Sequence, residues 1–391
     1  MVLDKNEFGG LVKAYRKQRG WTQDELAERW GHSRVYISQI EAGKKKLDSV
    51  AQVVRLADIL DIPQEKLEAI GRGIPTRQAK TQNAAQADNT TIQMLLAPGR
   101  DMARISYMLW LADQHPIVEA NLRNLALNLD QILTAYQGEF RTAAQQLLAY
   151  THQMLGKIAF DRLDYAAAGG HFSEMIDLGQ ELSDIDIITT GMIHQGSILR
   201  KRERYEQAIR CFEATKSFAD AASPNIKGLR YNLLARVYYD FGDEQNFLRT
   251  INPALEIAAH MSDSIDSLAN EFSLDTVLCE QASGFSELGK PEKALEIYKE
   301  TDRLRPFRPL REQGSYTITK AQAYLHLGDL DQGITYSLRG IQVATEYRSK
   351  RQILWLDKTY NQLRLLPIGK DKRINTLRDA LIVSKKQQEL W

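Results

Sequence analysis

The chain has 391 residues, is 43% hydrophobic and 26% charged, and carries a formal net charge of +1. Such a balance excludes a disordered or fibrous chain and allows two or more domains with a sizeable core. No apolar run approaches the roughly 18–20 residues of a membrane span, the start MVLDKNEFGG lacks the marks of a secretory signal, and Cys211 and Cys279 lie too far apart to suggest a disulfide framework or metal clip; a cytoplasmic protein is expected.

The small net charge hides an asymmetry. Residues 1–80 hold 15 Lys+Arg against 11 Asp+Glu, whereas the remainder holds 36 against 39. A basic N-terminal unit on a slightly acidic body is the pattern of a nucleic-acid module joined to one of another kind.

Along residues 1–71 the pattern predicts five short helices. Leu11, Val12 and Tyr15 share a face of the first, which Gly20 ends. Thr22 with Glu25 forms a capping box that opens QDELAERW. Ser33 caps the third helix after a short turn, Val50, Val53, Leu56, Ala57 and Leu60 stripe the fourth, and Pro63 opens the fifth. Residues 72–91 have almost no large apolar side chains and no period, as a linker does. From residue 92 to 391 the chain reads helical almost throughout.

That long body repeats. Gly156, Ala168 and Phe172 are spaced by 12 and 4, as are Gly196, Ala208 and Phe212, and again Ala282, Ala294 and Tyr298; Ala235, Phe247 and Ile251 hold the spacing more loosely, and Ala321, Gly333 and Ser337 hold it with small residues only. A recurrence near 40 residues marks a solenoid of helix pairs. The two small residues let antiparallel helices approach closely, and the aromatic fills the space to the next pair.

With these residues in view, the first part resembles the Xre/Cro type of helix-turn-helix domain, through Thr22-Gln23, Glu25-Leu26-Ala27, Ser33, Tyr36-Ile37-Ser38, Ile40-Glu41 and Gly43. Residues from about 140 to 345 resemble tetratricopeptide repeats. The combination is similar to the peptide-pheromone receptors of Gram-positive bacteria and their phages, the Rgg and arbitrium regulators of quorum sensing. The expected fold is therefore all-α: a five-helix helix-turn-helix DNA-binding domain followed by a tetratricopeptide-repeat solenoid.

In the helix-turn-helix motif the third helix enters the major groove. Ile37 and Ile40 must face the core, which leaves Arg34, Val35, Tyr36, Ser38 and Gln39 on or near the outer face. The resemblance assigns base reading to Arg34, Val35 and Gln39: a guanidinium fork suits guanine, an amide suits adenine, and a methyl contact suits thymine. Gln23, Ser33, Tyr36, Lys44, Lys45 and Lys46 are expected to hold phosphates. One such head reads only a half-site, so a homodimer on a double-stranded DNA operator is expected.

On a helical wheel, the positions at −3, +1, +4 and +5 from each packing small residue face the concave side. In the middle of the groove this yields Lys157, Arg200, Lys201, Asn232, Arg236 and Tyr239, a basic and amide-rich set able to hold a short peptide by backbone and carboxylate. The fifth unit would offer Ile318, Gln322, Leu325 and His326. His152, His171 and His194 fall at different repeat positions without ligand spacing, so no metal is expected. No phosphate loop, nucleophile elbow or zincin motif occurs in the sequence, so neither an enzyme nor a cofactor is expected. The function expected is a DNA-binding transcription regulator whose repeat domain binds a small peptide; the alternative is a DNA-binding scaffold whose groove docks a protein partner.

Overall fold

The computed structural model describes residues 2–3, 5–30, 34–45, 47, 53, 56–57, 59–60, 62–63, 66, 71–72, 89–112, 115–134, 136–261, 268–305 and 307–388. The chain divides into two compact units, Met1–Ala87 with Thr134–Tyr136, and Asp88–Leu133 with Gln137–Trp391.

In the first unit, α1 spans Lys5–Gln18, α2 Gln23–Trp30 and α3 Arg34–Glu41. The capping box forms as the sequence predicts: the Thr22 backbone N–H donates to Glu25 Oε2 at 2.7 Å, and the Glu25 N–H donates to Thr22 Oγ1 at 3.2 Å. Those bonds to Thr22 draw the Glu25 carboxyl below its usual range. Phe8, Val12, Leu26, Trp30, Ile37 and Ile40 are buried together with Val53, Leu56 and Leu60 from the predicted fourth helix, most of which, like the fifth, lies outside the described residues. Gly9 lets α1 lie directly on α3, since a Cβ there would stand 2.1 Å from the Ile40 carbonyl oxygen. The helical pattern did not suggest one feature: a two-residue antiparallel pairing of Val2–Leu3 (β1) with Gly71–Arg72 (β2), which ties the unit's two ends together.

The second unit is a run of antiparallel helix pairs. Asn89–Ala112 and His115–Leu133 form the leading pair, so the helix starts three residues before the expected boundary at 92. The five repeats follow as Arg141–Asp161 with Tyr165–Leu182, Ile185–Lys201 with Tyr205–Ala214, Pro224–Phe241 with Glu244–Ala259, Leu274–Glu287 with Pro291–Leu304, and Leu310–Leu327 with Leu330–Glu346. Lys350–Leu363 and Lys372–Gln388 complete the unit. Helix starts recur on side-chain caps: Asp164, Asp184, Asp243 and Asp329 each accept from the backbone N–H three residues on. Gly242 and Gly328 end their helices at φ of 83° and 87°, a conformation in which a Cβ would be strained.

The small-residue spacing has a direct steric meaning. A Cβ on Gly156 would stand 2.5 Å from the Phe172 ring, and one on Gly196 would stand 2.7 Å from the ring of Phe212. Both rings are fully buried. Each aromatic therefore fills the space that the absent side chain leaves, and the sequence period is a period of close helix approach. Gly156→Ala should then overpack the first repeat, lowering stability by about 1–3 kcal/mol in urea unfolding. The loss should shrink when Phe172→Leu is added, because the two changes act on one contact.

Candidate functional site

In the first unit, the outer face of α3 is set by what its inner face buries. Ile37, Ile40 and Glu41 point inward. Glu41 is a buried carboxylate that receives two bonds from Arg16, the Nη2 bond being 2.9 Å, and one from the Gln23 amide at 2.9 Å. Burial raises the Glu41 pKa, and the bonds from Arg16 and Gln23 outweigh it, leaving the carboxyl below its usual range. This junction pins the N-terminus of α2 to the C-terminus of α3. Gln23, expected on a phosphate, thus has its amide committed to Glu41.

With that junction fixed, Arg34, Val35, Ser38 and Gln39 stand exposed on one side of α3, Val35 at 64%. An exposed valine on a helix whose two isoleucines are buried together on the other face suits a surface that a partner covers. The Arg34 guanidinium lies 3.7 Å from Asp24, an exposed pair that water screens and that leaves the fork usable. Tyr36 is half-buried, tilted against Trp30 at 5.6 Å between ring centres, with Lys45 Nζ 4.5 Å above its ring. Lys44 is exposed. Ser33 and Lys46 lie outside the described residues.

In the second unit, the concave side encloses a cavity of about 620 Å³. Of the six residues expected to hold a ligand, Lys157, Arg200, Lys201, Arg236 and Tyr239 line it. Asn232 does not: it is 1% exposed, and its amide has no hydrogen-bond partner among the described residues. The wheel also misplaces the fifth repeat, where Ile318 and Gln322 are buried and Ser315 and Thr319 line the cavity instead. Only small residues mark that repeat, so its rotation about the helix axis is not pinned by an aromatic.

Most lining cations already have acidic partners. Arg200 Nε is 2.7 Å from Asp240, and Arg236 is 2.7 Å from Glu280, which also accepts from the Tyr239 hydroxyl at 3.1 Å. Lys201 has no carboxylate within ion-pair distance among the described residues; Trp355 lies 5.5 Å below its ammonium. Burial, with Arg200 and Arg351 nearby, pushes its pKa well below the usual lysine range.

Sequence reasoning missed the far wall. Arg305, Arg308, Arg311 and Arg351, with Tyr107, Trp110 and Trp355, come from the leading pair, from the junction of the fourth and fifth repeats and from the final helix pair. No periodicity connects residues so far apart, because a cavity wall formed by the superhelix returning on itself has no local signature. Asp161 is buried in the closure. It accepts two bonds from Arg311, at 2.7 and 3.0 Å, one from Arg351 at 3.1 Å and one from the Tyr347 hydroxyl at 3.1 Å. The Arg311 guanidinium lies 3.4 Å over the Trp110 ring.

The three histidines do not converge. His152 and His171 face each other with Nδ1 atoms 3.0 Å apart, and His194 stacks on Phe172. Among the described residues no group of three or more His, Cys, Asp or Glu could hold a metal ion.

Two consequences can be measured. Asp161→Asn would leave Arg311 and Arg351 buried with a neutral partner, so stability should fall by about 3–5 kcal/mol in urea unfolding. Burial holds His152 and His194 at about 4 and His171 at about 3, against about 6.5 in an unfolded chain. Protons then bind the unfolded state preferentially, so this contribution is complete above pH 6.5 and is lost as pH falls towards 4. The melting temperature should drop over that window, with a shallower slope in His152→Asn/His171→Asn.

A helix-turn-helix domain family matches residues 7–70. The ImmF control region 10 kDa protein of Bacillus phage phi105 is 32% identical over 85 residues, which cover 20% of this chain and 93% of that protein. The HTH-type transcriptional repressor RghR of Bacillus subtilis is 40% identical over 60 residues, covering 15% of this chain and 44% of the repressor. SinR of Bacillus subtilis, an HTH-type transcriptional regulator, is 33% identical over 55 residues, covering 14% of this chain and half of its own length. Among solved structures, PlcR of Bacillus thuringiensis in complex with the peptide PapR7 and DNA aligns with 84% of this chain and 96% of its own, at 15% identity and a TM-score of 0.35.

Proposed function

We propose, on the premise that this chain belongs through residues 7–70 to the Xre-type helix-turn-helix family, that it is a sequence-specific transcription regulator acting as a dimer. Its helical body binds a short peptide that modulates operator binding. The observation that carries the first part is the outer face of α3, where Arg34, Val35, Ser38 and Gln39 are exposed together while Ile37, Ile40 and Glu41 hold the helix from beneath. A bidentate donor, a methyl surface and an amide, side by side on one groove-sized helix, are what base edges in a major groove require. The 620 Å³ cavity supports the second part: it falls within the range of ligand sites and is rich in guanidinium and ammonium groups.

A ligand can shift DNA binding only through its different affinity for two arrangements of the protein. The test is binding to DNA from upstream of the chain's own gene at fixed salt, with and without a culture extract below about 3 kDa. An affinity change that protease treatment of the extract abolishes is the expected result. Tight binding without any response would move the body from sensor to scaffold. In the same assay Arg34→Ala should cost about 1–3 kcal/mol, and only at one base pair of each half-site; a uniform loss over all sequences would assign Arg34 to the phosphates instead.

A further inference from the structure

Connectors between successive helix pairs are short, running from Leu182 to Ile185, from Ala221 to Pro224 and from Glu346 to Lys350. The connection from Ala259 to Leu274 is longer, and its residues 268–273 (LANEFS) lie against the concave side. Leu268, Ala269 and Phe272 are buried in the core of the repeats. Phe272 seats against Gly228, where a Cβ would stand 2.2 Å from its ring.

The remaining contacts are those of a bound peptide. The Leu268 carbonyl accepts from the Gln153 amide at 2.7 Å, and the Asn270 carbonyl accepts from the Tyr107 hydroxyl at 3.4 Å. Lys157 donates to Asn270 Oδ1 at 3.4 Å and stands 3.6 Å from the Glu271 carboxylate. Groove side chains thus grip backbone carbonyls, while an amide and a carboxylate satisfy a buried lysine.

We propose that residues 268–273 are a resident occupant of the groove, and that its external ligand is an acidic peptide that takes their place at Gln153, Lys157 and Tyr107. The inference rests on reading the groove as the ligand site. The argument for an acidic ligand is electrostatic. Lys157 is buried, and removing Glu271 without supplying another carboxylate would strand its ammonium. Burial works against the Glu271 charge, yet Lys157, His194, Arg236 and Arg311 hold its carboxyl at about 2, so the position is built for an anion. A neutral peptide of the same shape could replace the backbone bonds but not that charge.

The chain supplies its own probe: a fluorescein-labelled hexapeptide of sequence LANEFS, its C-terminus amidated. Two full-length variants are compared with the unaltered chain, one with residues 268–273 replaced by alternating Gly and Ser, and the milder Asn270→Ala/Glu271→Ala. By fluorescence anisotropy, the peptide should bind the Gly-Ser variant at least tenfold more tightly than the unaltered chain, and its Glu→Gln form should lose at least tenfold. Equal binding to both proteins, no binding to a folded variant, or no effect of Glu→Gln would overturn the proposal. If the Gly-Ser variant does not fold, hydrogen exchange decides: amides of 268–273 should exchange at least tenfold faster in the double variant, and unchanged exchange would show the segment to be fixed core. A positive peptide result beside a DNA assay silent to extract would remove only the signalling role, and the reverse would remove only the resident occupant.

Discussion

Asp161, the last residue of the first repeat's leading helix, has its carboxylate buried among Arg311, Arg351 and the Tyr347 hydroxyl, with Trp110 beneath Arg311. These partners come from the leading pair, the fifth repeat and the final helix pair, so one anion joins elements separated by as many as 190 positions. A solenoid whose repeats touch only their neighbours has an open concave face. Here elements from the end of the chain return to those at the beginning, and the concave face becomes a deep, partly open cavity. Lining cations such as Lys157, Arg200 and Arg308 are thereby largely withdrawn from bulk water, which strengthens their interaction with an anion and raises the cost of leaving them unpaired. That is why so many lining arginines carry acidic partners.

The helix-turn-helix unit solves a smaller version of the same problem. Its α3 has only eight residues, too short to be stable alone. It is held by Ile37 and Ile40 from one side and by the Arg16–Glu41–Gln23 junction at its end. Side chains on the outer face are then free of structural duty. Arg34, Val35 or Gln39 can change without altering the fold, because stability is carried by residues on the other face of the same helix.

In the body, the connection between recognition and packing is tighter. Gln153 and Lys157 are one turn apart on the first repeat's leading helix, and each holds part of residues 268–273. One further turn along the same helix face lies the closure at Asp161. The groove's occupancy and its closure therefore share one rigid element, a geometry through which a change at one can bias the other.

The helix-turn-helix head was legible in the sequence because its determinants are local: the Thr22–Glu25 capping box, the glycine-ended helices, and the alternation of buried Ile37 and Ile40 with exposed Arg34, Val35, Ser38 and Gln39 are all decided within one or two turns. The repeat period was legible for the same reason, since Gly156 against Phe172 and Gly196 against Phe212 lie within single helix pairs. A helical wheel found five of the six cavity residues it named, and failed at Asn232 and in the fifth repeat, where small residues fix distance but not rotation. Only the tertiary structure decided which groups face one another across the cavity, that Asp161 closes it, and that residues 268–273 lie within it. Those relations depend on the small rotation added by each helix pair, and that rotation accumulates over the whole body rather than being written in any one stretch.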